Sequence, residues 1–462
     1  MLTNGLKSFK DMHFTKLLFL NFIRAKGYTM ALLVLWIASM LSLYIGKTFI
    51  DHHQNNIQKT AQAQQELIDR YVKFENKEMG LLLYYLKFGL VNEMPNLAGL
   101  SIGQRDINPS AMSVTIRNLE EQKYNTELHN PMYQLLGNMD FSFVLIYFFP
   151  LVIIAFCFNA LSEEKESGIW KLLCSQTAKP YRVIFQKIAI RLVVIELLLG
   201  IILLTAQLYL NISFDIFWII FGISAMLYVL FWFAFCAWII SLQKNSNQNA
   251  LLLLVAWVLL TIVLPAGANA LVTQTYPTQE AFETLVENRD GYHKKWDLEK
   301  EPTIQKFKAH YPQLAQFEHP KDKDFSWFWY YAMQQMGDDE AQEAVKQFKN
   351  KLAQREKMSQ WIGYFLPTIH TQLIFNQIAQ SDLRNQLQFW EALEQFHEQK
   401  RLHFYPKIFS DAPVLNENWQ QWKLATHQSK PNLSLVEIFM PIGFMVILIS
   451  IVAFGQLRKI NI

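Results

Sequence analysis

Six apolar stretches, each about twenty residues long, constrain most strongly what this chain can fold into. A helix needs about 20 predominantly apolar residues to cross the ~30 Å hydrocarbon core of a bilayer. One such run can be a buried helix of a soluble protein, but a series of them favours a membrane-spanning bundle. We therefore predict an all-α polytopic membrane protein. The predicted spans cover residues 28–50, 141–161, 189–210, 214–242, 250–272 and 435–454.

The composition indicates a chain that is partly membrane and partly water-facing. Hydrophobic residues make up 52% of the chain and charged residues only 18%, below the ~25% of a typical soluble domain. The three cysteines are Cys157, Cys174 and Cys236. None lies in the long polar segments, which excludes a disulfide framework and a CxxC metal site there. No cleavable signal peptide is predicted, because the first apolar run is long enough to span.

Two long polar segments, 51–140 and 273–434, interrupt the series of spans. Apolar residues recur at helical spacing in Ala61–Tyr85 and Thr371–Tyr405, and no alternating pattern predicts a strand. The prediction is therefore two mainly helical domains outside the membrane. His397 and His403 are predicted to lie on a solvated helix face.

Lysine and arginine concentrate on one side of the predicted topology, which marks that side as cytoplasmic. Residues 162–188 and the tail 455–462 then lie inside with both termini, and the two polar segments lie outside. Because the membrane accounts for this basic side, no nucleic-acid partner is expected. The basic residues are Lys7, Lys10, Lys16, Arg24, Lys26, Lys165, Lys171, Lys179, Arg182, Lys187, Arg191, Lys244, Arg458 and Lys459.

The N-terminal segment 1–27 contains an apolar run, Phe14–Ile23, flanked by basic residues. Such a segment can lie in the membrane interface as an amphipathic elbow helix. The alternative is a plain cytoplasmic extension of the first span.

Two short motifs suggest ligand chemistry that their context does not support. Gly46-Lys47-Thr48 lacks the second glycine of a phosphate-binding loop and lies at the end of a predicted span. ATP-driven work would therefore need another chain to bind ATP. His52-His53 could hold a metal ion, but neighbouring helix residues point apart, so surface histidines are the favoured interpretation. No HExxH or CxxC spacing predicts a metal site.

Glu196 lies inside the third predicted span, where a carboxylate costs about 2.5 kcal/mol or more and normally faces the bundle interior. One hypothesis places it on a translocation path. The other gives it a structural role, either paired with Arg191 or as a neutral hydrogen-bonded acid.

The loop after the second span, 162–188, carries the most specific pattern. Acidic residues come first and lysines later, as suits a helix dipole. Ile169, Leu172 and Leu173 give this helix an apolar edge that could dock in a groove of a soluble partner. The alternative is a plain solvated connection between two spans.

From Glu163 to Lys187 the loop resembles the signature of ABC-2 type transporter permeases. It has an acidic cluster, then Glu-Ser-Gly-Ile-Trp-Lys-Leu-Leu, a polar turn, and a lysine before the next span. It departs from the family pattern at Ile169, where Thr is usual, and at Gln186, where Gly is usual. In that family this segment is the coupling helix that an ATPase subunit moves. The resemblance assigns ATPase coupling to Glu163, Glu164, Glu166, Gly168, Lys171 and Leu172.

The resemblance extends to the six-span order and the N-terminal elbow. The two enlarged polar segments resemble a subgroup of these permeases that carries a domain of unknown function. In that subgroup a run like Leu366-Pro367, followed by Ala379-Gln-Ser-Asp382, recurs near the last span.

The resemblance implies the membrane subunit of an ATP-driven exporter in a bacterial inner membrane. It binds no cofactor itself, and ATP and Mg²⁺ are used by two copies of an ATPase partner. A second permease copy or a paralogue, membrane lipid and a periplasmic protein are the other implied partners. The alternatives are a membrane-anchored sensor or assembly scaffold and, less favoured, a membrane-embedded enzyme. The substrate is not predicted.

Overall fold

The computed structural model describes residues 15–124, 138–177, 179–278, 295–320, 323–429, 431 and 433–459. This part of the chain is mostly helical, and six of its helices are long and apolar enough to cross a membrane. They overlap the six predicted spans, so the prediction of a mostly helical chain with six candidate membrane-spanning helices is confirmed. We name them TM1 to TM6: Lys26–Phe74, Phe141–Glu166, Tyr181–Tyr209, Ile216–Ser241, Ser246–Thr275 and Leu435–Arg458.

The remaining elements are shorter or more polar. The helices are α1 (15–24), α2 (Met79–Tyr85), α3 (Leu119–Tyr124), α4 (Ser162–Glu166, the end of the TM2 range), α5 (Ile169–Gln176), α6 (Lys300–His310), α7 (Trp327–Gly363), α8 (Pro367–Ile378) and α9 (Leu383–Phe409). The strands are β1 (Phe88–Asn92), β2 (Ala111–Val114) and β3 (Ala425–His427). Short 3₁₀ turns lie at Asn96–Gly99, Gly103–Asp106, Pro312–Leu314, Val414–Asn416 and Trp419–Gln421.

The N-terminal helix α1 covers most of the predicted elbow segment and is separated from TM1 by the extended residue Ala25. Residues 1–14 lie outside the described part of the chain. Phe22 of α1 is buried against the rings of Tyr28 and Phe156, which fixes this helix to TM1 and TM2.

TM1 is much longer than the predicted span. Its 49 residues make a helix of about 73 Å, more than twice the bilayer core. The additional turns carry Gln64 and Ile68 into the polar part of the molecule, where both side chains are buried. TM1 therefore connects the membrane bundle and the polar domain as one continuous helix.

TM4 forms the centre of the bundle and packs against TM2, TM3, TM5 and TM6. Its Tyr228 and Trp232 are fully buried. TM5 and TM6 instead leave most of their apolar side chains uncovered by the rest of the chain, as expected for surfaces that lipid or another membrane subunit covers.

TM2 and TM5 each contain a π-helical segment, Val144–Phe148 and Leu259–Val263, directly before a residue pair that contains a proline. Because Pro150 and Pro265 have no N–H, each span must leave a carbonyl without its usual intrahelical partner. Side chains of other helices occupy carbonyls of both segments. The bonds are Tyr228 Oη to Ile146 O (2.9 Å), Trp257 Nε1 to Tyr147 O (3.1 Å) and Thr368 Oγ1 to Leu260 O (2.5 Å).

The described parts of the two polar segments, predicted as separate domains, share one hydrophobic core. Ile68 and Phe88 come from the first segment, and Phe307, Tyr331 and Tyr405 from the second. We call this unit the polar domain. It includes the top of TM1, α2, α3, α6, α7 and α9.

No strand was predicted from the sequence, and this prediction was wrong. A three-stranded sheet in the order β2-β1-β3 joins the two polar segments. The pair β1–β2 is antiparallel, with Phe88 opposite Val114, and the pair β1–β3 is parallel, with Leu90 opposite Ala425. All of β1 is buried, so its sequence shows no alternation. Gly89 lies so close to Leu424 and Gln64 that a Cβ would reach within 2.5 Å of the Leu424 side chain.

Helix α8 belongs to the second polar segment but packs into the membrane bundle. Phe375 is fully buried and stacks on Phe221 of TM4, with ring centroids 4.3 Å apart. The His370 Nε2 atom lies 2.8 Å from the carbonyl oxygen of Ile438 in TM6. Together with Thr368, these contacts join α8 to TM4, TM5 and TM6 at the end of the bundle where TM4 begins.

Candidate functional site

The end of the TM2 range and the residues that follow it form a pair of short helices, α4 and α5, which we call the helix pair. The residues that the resemblance assigns to ATPase coupling fall into two groups. Glu164 and the exposed Glu166 bond to TM3 and TM5 and anchor the pair to the bundle, whereas the anchoring contacts do not involve the exposed residues Glu163, Lys171 and Leu172. The turn between the two helices is made by Gly168.

Position 168 requires glycine because of its backbone conformation, and not because a larger side chain would clash with neighbouring atoms. Its φ of +77° lies in the left-handed region, and a Cβ there would meet no atom within 4 Å. Glycine occupies this region at no steric cost, whereas other residues are strained by about 1–2 kcal/mol. The reversal lets α4 lead directly into α5 with both close to the bundle.

Glu164 forms an ion pair with Lys187 in the first part of TM3. Both side chains are mostly shielded, with 14% and 16% of their surface exposed. Because a partly buried pair is screened less than a surface pair, it holds α4 against TM3. The single helix Tyr181–Tyr209 extends this anchor into the membrane without a break.

Glu166 anchors the helix pair to the start of TM5. Its two carboxylate oxygens accept hydrogen bonds from the backbone N–H (2.8 Å) and the hydroxyl (2.9 Å) of Ser246. The Ser162 hydroxyl lies 2.8 Å from the same Ser246 hydroxyl. A carboxylate at a helix N-terminus also interacts favourably with the helix dipole. The result is a second, independent link, between α4 and TM5.

Trp170 and Lys165 complete the inner side of the helix pair. The Trp170 side chain is only 5% exposed, and the Lys165 ammonium lies 5.9 Å from its ring centroid. Lys165 also donates to the Gln243 side chain at 2.7 Å. Sequence reasoning did not identify Trp170, Gln243 or Ser246, because their partners lie far away in the chain or across the turn.

The outer side of α5 presents an apolar edge. Ile169 is 50% exposed and Leu172 is 58% exposed, and the exposed Lys171 lies between them. Glu163 is also exposed and accepts a hydrogen bond only from Asn159, at 3.0 Å, among the contacts that the structure describes. The helix pair therefore has one side fixed to the bundle and one side exposed.

Glu196 lies in TM3, half-buried, with its Oε2 atom buried and lacking a hydrogen-bond partner in the described part of the chain. The predicted pairing with Arg191 is wrong. Arg191 instead donates to the Phe156 carbonyl oxygen in TM2, and its guanidinium lies 5.7 Å from the Tyr28 ring centroid. Five positions along a helix place Glu196 and Arg191 on different faces.

The histidines of the polar domain are not all on its surface. His397 is 2% exposed, and its Nε2 lies 2.9 Å from the Thr115 carbonyl oxygen. Burial lowers the pKa of His397 well below its ordinary value. The prediction of a solvated helix face was therefore wrong for His397, whose side chain crosses to the first polar segment. His403 is only partly exposed and lies 3.2 Å from Glu417.

Metal-ligating residues do not cluster in the part of the chain that the structure describes. No group of three or more histidine, cysteine, aspartate or glutamate side chains there could hold a metal ion. His52 is exposed, but the prediction of a surface position was wrong for His53, which is buried.

Residues 278–424 match the model of a family described as a domain of unknown function, DUF3526. The match covers most of the second polar segment, including α6 to α9. No curated protein and no solved structure matches the chain.

Proposed function

We propose that this chain is the membrane-spanning subunit of an ABC-2 type transporter, and that the helix pair receives the movement of a separate ATPase subunit. The observation that carries the proposal is the two-sided construction of the helix pair. Its inner side is anchored to TM3 and TM5, and its outer side presents exposed apolar residues. The resemblance of residues 163–187 to permease coupling helices supports the same assignment.

The exposed edge of α5 suits a groove in a water-soluble partner. An amphipathic helix laid in a groove contributes its apolar side chains at helical spacing, and Ile169 and Leu172 have that spacing. Leaving two large apolar side chains uncovered is costly unless something covers them, at about 25 cal/mol per Å². Lys171 lies on a different face of the same helix and supplies a charge that can pair at the rim of the groove.

The two anchors give the helix pair a way to move the bundle. A force on α5 passes through Gly168 to α4, then through Glu164 to TM3 and through Glu166 to TM5. TM5 bonds at its π-helical segment to Thr368 of α8, and α8 leads into the polar domain. Small displacements at one site become larger changes when packed elements have discrete alternative arrangements.

The functional complex in this proposal contains two ATPase copies, which use ATP and Mg²⁺, and a second permease, either identical or paralogous. The uncovered apolar faces of TM5 and TM6 leave room for that subunit and for lipid. The complex resides in a bacterial inner membrane with both termini in the cytoplasm. It exports a substrate or does mechanical work on the polar domain, and Glu196 faces the path.

The test is purification of the full chain from its native membrane in mild detergent, followed by mass spectrometry and an ATP hydrolysis assay. We expect an ATP-binding chain to co-purify and the eluate to hydrolyse ATP. Leu172→Asp should remove most of that chain, because hot-spot residues contribute about 2 kcal/mol or more to binding.

Leu415→Asp is the matched control, because Leu415 is 72% exposed in the polar domain and far from the helix pair in the sequence. It should leave co-purification unchanged. If the wild-type eluate contains no nucleotide-binding chain even after crosslinking, the transporter proposal is rejected in favour of a membrane-anchored sensor or scaffold.

A further inference from the structure

A polar cleft of about 480 Å³ lies in the polar domain, far along the chain from the helix pair. Its long walls are α7 and α9, which run beside each other. Leu119 and Glu120 of α3 also line it, and His310 of α6 lies at one end. The volume is in the range of ordinary small-molecule pockets, about 300–1,000 Å³.

Carboxylates outnumber cations around this cleft. The acidic lining residues are Glu120, Asp338, Asp339, Glu391, Glu394 and Glu398. The lysine and arginine lining residues are Lys346, Lys349 and Arg401. The cleft therefore has a negative balance at neutral pH, which attracts cations.

Some of these carboxylates already have basic partners within the domain. Asp338 accepts from Arg401 at 2.7 Å, and Glu394 binds Lys349 at 2.7 Å and also Lys123. Glu391 is exposed, and none of the ion pairs that the structure describes includes it. Glu398 accepts a hydrogen bond from the neutral Tyr311 hydroxyl at 2.8 Å. These two residues therefore supply negative charge that no described ion pair neutralises.

Glu120 provides the second, independent observation. Its side chain is 8% exposed, and Oε1 accepts from Lys123 at 2.6 Å. The Oε2 atom is buried and has no hydrogen-bond partner in the described part of the chain. A buried acceptor without a donor costs about 1–3 kcal/mol. Because Glu120 lines the cleft, a ligand with N–H groups there would supply the missing donor.

The spacing of the carboxylates favours an elongated ligand. Glu391, Glu394 and Glu398 follow one another along α9, at axial steps of about 4.5 Å and 6 Å for a rise of 1.5 Å per residue. The cleft extends along α7 from Gln335 to Asn350, an axial length of about 22 Å. No group of metal-ligating side chains in the described residues could hold a metal ion. Carboxylates spread along a groove match separate ammonium groups better than one compact ion.

We propose that this cleft binds a linear aliphatic polyamine, with ammonium groups donating to Glu120, Glu391 and Glu398. The methylene segments of the polyamine lie along the cleft, whose lining includes Val345 of α7. The proposal does not depend on the transporter function, because binding requires neither ATP nor a second subunit.

Isothermal titration of the purified full chain with spermidine at physiological ionic strength tests the site. We expect saturable binding of one spermidine per chain. Glu391→Gln and Glu398→Gln should each weaken binding about tenfold, because a hydrogen bond to a charged group contributes about 1.5–3 kcal/mol. The matched control is Glu343→Gln, which removes an equal charge from an exposed position of α7 outside the cleft and should change the affinity less than about twofold.

Three results would overturn the proposal. They are the absence of saturable binding, equal weakening by Glu343→Gln, and displacement of spermidine by Mg²⁺ at the same concentration. Melting of each variant without ligand reports its folding. If Glu398→Gln lowers the melting temperature, the exposed Glu391→Gln decides the outcome.

Discussion

At one end of the membrane bundle, charged side chains hold the helix pair, whereas at the other end α8 is held by aromatic stacking and bonds to backbone carbonyls. Glu164 is mostly shielded but still 14% exposed, whereas Glu166 is exposed and can exchange its partner for water at little cost. Phe375 and Thr368 cannot, because both are buried in the bundle. The difference indicates an adjustable attachment at the first end and a fixed one at the second.

The largest expected effect that tests the difference between the two ends of the bundle comes from substitutions of the α4 carboxylates. Under the proposed transporter function, Glu164→Gln and Glu166→Gln should each leave the proposed ATP-binding partner bound but lower the ATP hydrolysis that this chain stimulates about tenfold, the effect of ~1.4 kcal/mol. The measurement is hydrolysis by the purified complex. Glu163→Gln is the control, with less than a twofold change expected. Equal loss in all three variants would mean that charge alone, rather than anchoring, matters.

The turn of the helix pair gives the next largest effect. Gly168→Ala should strain the left-handed turn by about 1–2 kcal/mol, which corresponds to a roughly five- to thirtyfold larger population of the locally open state. Hydrogen exchange over residues 162–177 measures this opening. Gly200→Ala is the control, because Gly200 lies inside TM3 and a Cβ there meets no atom within 4 Å. Unchanged exchange in Gly168→Ala would show that the turn can form without glycine.

The fixed end is examined by Thr368→Val, which removes the hydroxyl that donates to Leu260. We expect unfolding of the full chain to become easier by about 1 kcal/mol, the usual net contribution of one hydrogen bond. Thr371→Val is a matched control. Thr371 is equally buried on the same helix, but its hydroxyl donates to Pro367 of its own helix at 2.7 Å. Equal destabilisation by both variants would show that the bond from Thr368 to TM5 stabilises the chain no more than a bond within α8.

The smallest expected effect is a pH-dependent change in the stability of the polar domain. The hydrogen bond to Asp339 raises the pKa of His310 above its ordinary value of 6.5, and Glu398 also raises it while Arg401 lowers it. Since the folded pKa is the higher one, the stabilisation is fully present below pH 6.5 and is lost as the pH rises through the folded pKa.

His310→Gln should therefore lower the melting temperature more at pH 5.5 than at pH 8.5. The shift will be small, because His310 is 39% exposed and solvent screens the pair. A difference between wild type and variant that does not change with pH would contradict this assignment.

The spans could be predicted from sequence because a bilayer demands long apolar helices with internally satisfied backbone groups. The residues at which the spans end could not be predicted in the same way. TM1 continues to Phe74 because polar residues after position 50 still favour a helix, and tertiary contacts of Gln64 and Ile68 hold them. Pro150 and Pro265 were available as signals for the two π-helical segments, but which side chains bond to the freed carbonyls depends on packing.

The candidate site was partly predictable for a similar reason. The apolar edge that includes the exposed Leu172 was predicted from helical spacing, whereas the left-handed turn at Gly168, which divides the predicted single helix into α4 and α5, was not. The anchors Glu164–Lys187 and Glu166–Ser246 join residues 23 and 80 positions apart, and periodicity contains no information on such pairs. The same holds for β1, whose partner β3 lies in the other polar segment, and for His397, which a helical pattern placed on the surface.

The most direct test of the central claim is photo-crosslinking in the native membrane from a crosslinking amino acid placed at position 172, with position 415 as the control. The account predicts that position 172 captures an ATP-binding chain and that capture changes when ATP hydrolysis is blocked by vanadate. Position 415 should capture no such chain. Capture of no ATP-binding chain at position 172, in a protein whose expression and melting are normal, would contradict the account.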